Sequence, residues 1–276
     1  MYDLKGKAAI ITGSGRLKGL GFGIARRLAE EGVNIVITDI GAPKDHMPAG
    51  KIGTTAEMED LCNQIRALGV QAISVACDIR QEVDVEKLFA AASKAFGQVD
   101  ILVNNAGIGY VMKPLTDVTP DEWRAVLEVN LMGAFLCTKH AAKQMIGKGI
   151  KGRIVNIASQ AAKSGFPHMA SYVASKHGMI GLTRSNAVEL GGHGITVNAV
   201  CPNHVTTGLG AEQNEYFAKF KGMTVEAYLE DMKKRIPLGR AGLAEDTANA
   251  VAFLCSAQAQ YVTGEAMNVS GGEEVH

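Results

Sequence analysis

The sequence has no charge excess of either sign: 28 lysines and arginines stand against 28 aspartates and glutamates in 276 residues. A protein that neutralises a run of phosphates needs a basic surplus, so nucleic acid is excluded as an expected partner. A local basic pocket for one cofactor phosphate stays open. No apolar run reaches the roughly 18 residues a membrane span requires, so no membrane partner is expected. Residues 1–13 lead straight into a strand pattern and lack the charged-then-apolar plan of a secretion signal, so a cytoplasmic location is expected. The five cysteines (Cys62, Cys77, Cys137, Cys201, Cys255) are scattered. They form no CxxC pair, and no histidine cluster has metal-ligand spacing. They read as reduced, buried small side chains, and no metal is expected. Internal repeats, low-complexity tracts and linkers are also missing, so residues 1–276 are expected to form one domain.

What is present is a core-forming composition, 47% hydrophobic and 20% charged, arranged as alternating short β-branched runs and helix-length segments. Strands are expected at 7–12, 34–38, 71–76, 101–103, 153–157, 196–200 and 266–269. Helices are expected at 22–31, 57–68, 83–96, 120–145, 171–190 and 245–254. In the third of these helices Val85, Leu88, Phe89 and Ala92 recur at helical spacing. Pro120 opens the fourth, where proline is tolerated. Strands that are continuously apolar and alternate with helices imply an α/β fold: a doubly wound parallel sheet, Rossmann-like, in three α/β/α layers. Two stretches break the rhythm. Residues 41–53 read as a turn-rich surface loop, and residues 208–237 as a substrate lid.

The first strand is followed by a glycine-rich turn, Thr12-Gly13-Ser14-Gly15-Arg16-Leu17-Lys18-Gly19-Leu20-Gly21, and then a helix. Glycines let the backbone turn tightly and approach a pyrophosphate, and the helix N-terminus offers unpaired N–H groups to it. Asp39 ends the second strand. A carboxylate there accepts hydrogen bonds from an adenosine ribose and repels a 2′-phosphate, which favours NAD over NADP. Arg16 and Lys18 argue the other way, because a cation in the turn can meet that phosphate.

Tyr172 and Lys176 are spaced i, i+4 on an expected helix and share one face. An ammonium beside a phenol favours the phenolate, so this pair is expected to bring the tyrosine pKa toward neutrality and make Tyr172 an acid/base. Ser159 follows the strand at 153–157, at the carboxyl end of the sheet where sites form in open parallel sheets. Serine can orient a carbonyl oxygen while tyrosine exchanges its proton.

These elements, in this order and over nearly the whole chain, resemble the compact single-domain type of short-chain dehydrogenase/reductase. The remaining motifs that carry the resemblance are Asp78 after the third strand, Asn104-Asn105-Ala106-Gly107 after the fourth, Asn130 in the long helix and Cys201-Pro202 after the sixth strand. The resemblance implies that Asp78 and Ile79 hold the adenine, and that Asn104, Asn105, Ala106 and Gly107 line the cofactor cleft beside Gly13, Gly19, Leu20 and Gly21. It implies that Lys176 also binds the nicotinamide ribose, and that Asn130 kinks its helix and holds a proton-relaying water. Pro202, Val205 and Thr207 would meet the nicotinamide end. A homotetramer or dimer joined through helices 171–190 and 120–145 is implied as well, and the tail at 272–276 either reaches a neighbour or frays.

Two departures stand out. Five residues separate Gly13 from Gly19 where the family has three, so which glycine meets the phosphate is open. Asn203 stands where the family has glycine after the proline. It either adopts a left-handed turn or faces the substrate with His204. Gln160, His168 and His204 are polar candidates for the pocket, so a polyol, sugar or hydroxy acid is the expected substrate. The alternatives are an NADPH-dependent 3-oxoacyl-carrier-protein reductase, which predicts a basic docking patch, and a cofactor-binding sensor without catalysis.

Overall fold

The computed structural model describes residues 2–43, 52–109, 112–205 and 208–276. Its elements run β1 (Ala8–Thr12), α1 (Leu20–Glu30), β2 (Asn34–Asp39), α2 (Thr55–Arg66), β3 (Ala72–Ala76), α3 (Glu82–Phe96), β4 (Ile101–Asn104), α4 (Pro120–Leu127), α5 (Gly133–Gly147), β5 (Arg153–Ile157), α6 (Ala170–Leu190), β6 (Thr196–Pro202), α7 (Gly208–Phe220), α8 (Val225–Arg235), α9 (Ala244–Cys255) and β7 (Ala266–Val269). The seven strands form one parallel sheet in the order β3-β2-β1-β4-β5-β6-β7.

Alternation along each strand feeds two apolar layers. Ala9, Ile11, Ile35 and Ile37 face α1, α2 and α9, whereas Ile10, Val36, Leu102 and Ile154 face α3, α5 and the end of α6. Both faces are therefore covered, which is why the strands read as unbroken apolar runs. Strand order reverses between β1 and β4, and the loops that leave their carboxyl ends define the crevice where such sheets bind ligands.

Several expectations change. The helix expected at 120–145 is two helices joined by a π-helical turn, Glu128–Met132, which carries Asn130. Residues 208–237 hold two helices, α7 and α8, and Thr224 caps the second by accepting a hydrogen bond from the Ala227 amide at 3.2 Å. The 41–53 stretch is more than a surface loop at its described ends. Gly41 pairs with Thr54, Gly53 packs on Gly15, and Ile52 is buried; residues 44–51 lie outside the described residues. The tail folds back on its own chain: Ser164 Oγ donates to Glu274 Oε2 at 2.5 Å and the Asn203 amide donates to Glu273. No helix among the described residues is long and apolar enough to cross a membrane.

Candidate active site

The loops after β1 and β4 are built against each other. Thr12 Oγ1 accepts from the amides of Asn105 and Ala106, each at 3.0 Å, and Asn105 Nδ2 donates to Thr12 O at 2.8 Å and Gly13 O at 3.0 Å. Gly13 has φ +65, and a Cβ there would lie 2.7 Å from Ala106 Cα. A Cβ on Gly21 would lie 2.5 Å from Asn105 Nδ2. Glycine at 21 is thus required to let the Asn105 clasp form, and Gly21 does not line the cleft. Gly19 is the N-cap residue of α1 and has no side-chain cap, so the first-turn amides are left for another acceptor.

The lengthened turn is anchored by residues that the motif spacing did not single out. Ser14 Oγ donates to Ile11 O at 2.7 Å and accepts from the Thr38 amide at 3.1 Å, while the Leu17 amide donates to Glu57 at 3.1 Å. Asp39 accepts from the amides of Gly15 at 3.2 Å and Ile40 at 2.9 Å. Burial pushes its carboxyl pKa up; the amides of Ile40, Gly53 and Gly15 and the nearby Arg16 charge oppose this. Arg16 lines the cleft, whereas Lys18 is exposed and does not.

A cleft of about 450 Å³ runs along the carboxyl ends of the strands. It is lined at one end by Gly13, Arg16, Gly19, Leu20, Asp39, Asp78 and Ile79, in the middle by Asn105, Ala106 and Gly107, and at the other end by Ser159, Tyr172, Lys176, Pro202 and Val205. Asp78 receives a two-pronged hydrogen bond from Arg80, Nε at 2.9 Å and Nη2 at 2.7 Å. Asn104 lies beneath the cleft, donating to Thr138 and Asn156, and does not line it. Thr207 lies outside the described residues.

Ser159 caps a short 3-10 turn, its hydroxyl accepting from the Ala161 amide at 3.1 Å. Burial pushes the Tyr172 hydroxyl above its usual pKa, and the Ser159 side chain opposes this. Lys176 Nζ donates to Ile157 O at 2.7 Å and sits 5.6 Å from the centre of the Tyr172 ring. Burial pushes the Lys176 ammonium down to about 8, opposed by the Cys201 thiol nearby. The expected shift of Tyr172 toward neutrality is therefore not seen: desolvation outweighs the opposing influence of Ser159. Asn130 is fully buried; its carboxamide accepts from the Ile108 amide at 2.8 Å and donates to Ile108 O at 2.9 Å and to Ser175 Oγ at 3.0 Å. Asn203 is not left-handed: its amide donates to Val269 O at 3.2 Å, and it lines the cleft beside His204.

A family model described as Enoyl-(Acyl carrier protein) reductase matches residues 13–274. A short-chain dehydrogenase/reductase of Armillaria gallica is 36% identical over 97% of this chain and 96% of its own. The chain is a short-chain dehydrogenase/reductase. A 3-oxoacyl-[acyl-carrier-protein] reductase of Staphylococcus aureus is 35% identical over 96% of this chain and 97% of its own. Among solved structures, NAD+-bound xylitol dehydrogenase superposes with a TM-score of 0.88 at 32% identity, covering 98% of this short-chain dehydrogenase/reductase and 100% of the other chain. Carveol dehydrogenase from Mycobacterium avium in complex with NAD gives 0.90 at 30% identity, covering 99% of each. This dehydrogenase/reductase is accordingly an oxidoreductase acting on CH–OH or keto groups.

Proposed function

We propose that the protein moves a hydride between a nicotinamide dinucleotide and a secondary alcohol or ketone, with Tyr172 as the acid/base. The observation that carries this is the arrival of Ser159, Tyr172 and Lys176 at one end of a cleft whose other end holds Asp39 and the glycine turn. The residues fit a dinucleotide. The cleft is long and continuous, the first turn of α1 lacks a side-chain cap, and Gly13 brings backbone to backbone at the crossover of the sheet. The bound nicotinamide supplies or takes the hydride. Ser159 orients the oxygen of the reacting carbon and Tyr172 exchanges its proton. Lys176, held by Ile157 O, sets the charge behind Tyr172. The π-turn fixes Asn130 against the loop after β4, which keeps Gly107 next to both Asn130 and Lys176.

NAD is the proposed cofactor, supported by Asp39 at the end of β2 and by the two NAD-bound neighbours. Arg16 in the cleft and the carrier-protein reductase among the relatives favour a second reading, NADPH-dependent reduction of a 3-oxoacyl thioester. Fluorescence titration of the purified protein with NADH and NADPH separates them: tighter NADH binding supports the first, tighter NADPH binding the second. Asp39→Ala is expected to weaken NADH binding about tenfold or more, the value of a lost hydrogen bond to a charged group, and to spare NADPH. Equal effects on both would remove Asp39 from ribose recognition. The helices α7 and α8 act as a lid over the substrate end. A homo-oligomer, dimer or tetramer, is supported by the apolar side chains that α5 and α6 leave exposed, Phe135 and Val188, and is measured by light scattering.

The expectation of a polyol, sugar or hydroxy acid rested on Gln160, His168 and His204. Gln160 and His204 line the cleft. His168 instead bonds the lid, so one of the three supports is gone and the substrate body has to be read from the wall.

A further inference from the structure

The wall around Tyr172 is apolar. Tyr172 packs with Ala161 and Met169, and Phe166 and Phe217 lean on that cluster. Phe220 adds a second aromatic ring from α7 to the same cleft. The charged side chains that the lid helices bring to this end are matched rather than free. Lys221 lies 3.8 Å from Asp231 and over the ring of Tyr228, and Arg235 lies 3.6 Å from Glu273. Two cations facing two carboxylates add no net charge on the lid side, and the remaining cation at this end, Lys176, is held against Ile157 O behind Tyr172.

His168 joins the two sides of this wall. It is the one non-glycine residue with a left-handed backbone among the described residues, at φ 63. That conformation costs a histidine free energy and persists where its surroundings impose it, often at ligand clamps. Its carbonyl accepts from the Lys113 amide at 3.1 Å, which ties down the loop after β4. Its ring nitrogen Nδ1 shares a hydrogen bond with the Tyr216 hydroxyl at 2.8 Å, and the ring meets Phe220 edge-on at 4.6 Å. Tyr216 in turn packs edge-on against Phe217 at 5.4 Å. The side chain of His168 therefore braces α7, which packs Phe217 on the Tyr172 cluster and brings Phe220 to the edge of the cleft.

We infer that the substrate is a secondary alcohol or ketone with a compact, mainly apolar body, and that His168 is the positioning residue that shapes its wall by clamping α7. This rests on the oxidoreductase reading. Burial of such a body against Phe166, Met169, Phe217 and Phe220 provides the binding, and Gln160, Asn203 and His204 are the polar side chains of the cleft left to meet an additional oxygen.

The test is steady-state kinetics with NAD+ or NADP+ and three alcohols, cyclohexanol, xylitol and lactate, on the wild-type protein and on His168→Ala, His168→Gly and Tyr216→Phe. The expected kcat/KM for cyclohexanol exceeds the other two by about tenfold or more. His168→Ala is expected to raise the cyclohexanol KM about tenfold, with the loss falling on KM rather than kcat. His168→Gly relieves the backbone and should keep or raise Tm while reproducing the KM defect. Tyr216→Phe should show part of the same defect and add little when combined with His168→Ala, because both remove one bond. Better turnover of xylitol or lactate overturns the substrate class and leaves the oxidoreductase reading intact. An unchanged KM in both His168 variants overturns the clamp. No turnover of any alcohol with either cofactor overturns the oxidoreductase reading, and the inference with it.

Discussion

Tyr172→Phe is expected to lower kcat by about a thousandfold, the range of a lost general acid/base, while the affinity for NADH changes by no more than about twofold. The phenyl ring keeps every apolar contact that holds this side chain, with Ala161 and Met169 beneath it and Phe217 against it. Only the hydroxyl is lost. Ser159 Oγ keeps its own bond from the Ala161 amide, so the site should keep its shape. The wild-type pH profile follows from the direction of the Tyr172 shift. Burial pushes the hydroxyl above its usual pKa, so it stays protonated through neutral pH. Ketone reduction, which needs the O–H, should vary little between about pH 6 and 8, whereas alcohol oxidation, which needs a proton acceptor, should climb with pH. Initial rates in both directions across that range check the sign. An oxidation rate that falls with rising pH, or a phenylalanine variant with a tenth or more of wild-type turnover, removes Tyr172 from the proton-transfer role.

Much of the scaffold was legible because the strands are buried on both faces. Continuous apolar runs such as residues 8–11 and 101–103 leave little choice between solvent and core. What the linear pattern hid was set by contacts between distant segments. The π-turn at Glu128–Met132 adds a residue to one helical turn without disturbing the apolar spacing on either side, so 120–145 reads as one helix. The α8 helix is mostly polar, with Tyr228 and Met232 as its buried residues, so few apolar positions mark it; Thr224 at its start was a further available cue. Spacing could not decide which glycine is open to a ligand. That depends on Asn105 crossing to the turn and packing Gly21 out of the cleft. The fixing of Asn203 by the tail, and of His168 by Tyr216, likewise joins residues far apart in sequence. The Tyr172–Lys176 pair was visible at i, i+4, but the desolvation that shifts both groups depends on burial, which spacing does not report.

Lys176→Met is expected to abolish most turnover, by about a hundredfold or more, and at the same time to stabilise the fold at neutral pH. The ammonium is buried against Ile157 O, and desolvation brings its pKa from 10.5 down to about 8. That drop corresponds to about 3 kcal/mol of folding free energy lost to burying the charge. Methionine has similar length and no charge, so it removes this cost, but it leaves Ile157 O without its donor, which takes back about 1–2 kcal/mol. The net expectation is a gain of about 1–2 kcal/mol, or a Tm higher by about 2–5 °C at pH 7. The sign of the pH dependence is fixed by linkage. Below about pH 8 lysine is protonated in both folded and unfolded chains, and the fold carries the whole cost. Between about 8 and 10.5 the unfolded chain binds the extra proton, so the wild-type protein gains stability as pH rises. The advantage of the methionine variant should therefore shrink across that window, vanish near its middle and reverse by its upper end, where the neutral amine of Lys176 still supplies the donor to Ile157 O. Thermal melts of both proteins at pH 7 and pH 10 measure it. A variant less stable than wild type at pH 7 would mean that the charge is welcomed by its surroundings, and Lys176 would then be a structural residue. A stable, inactive variant would mean that the fold tolerates a costly buried charge for the chemistry behind Tyr172.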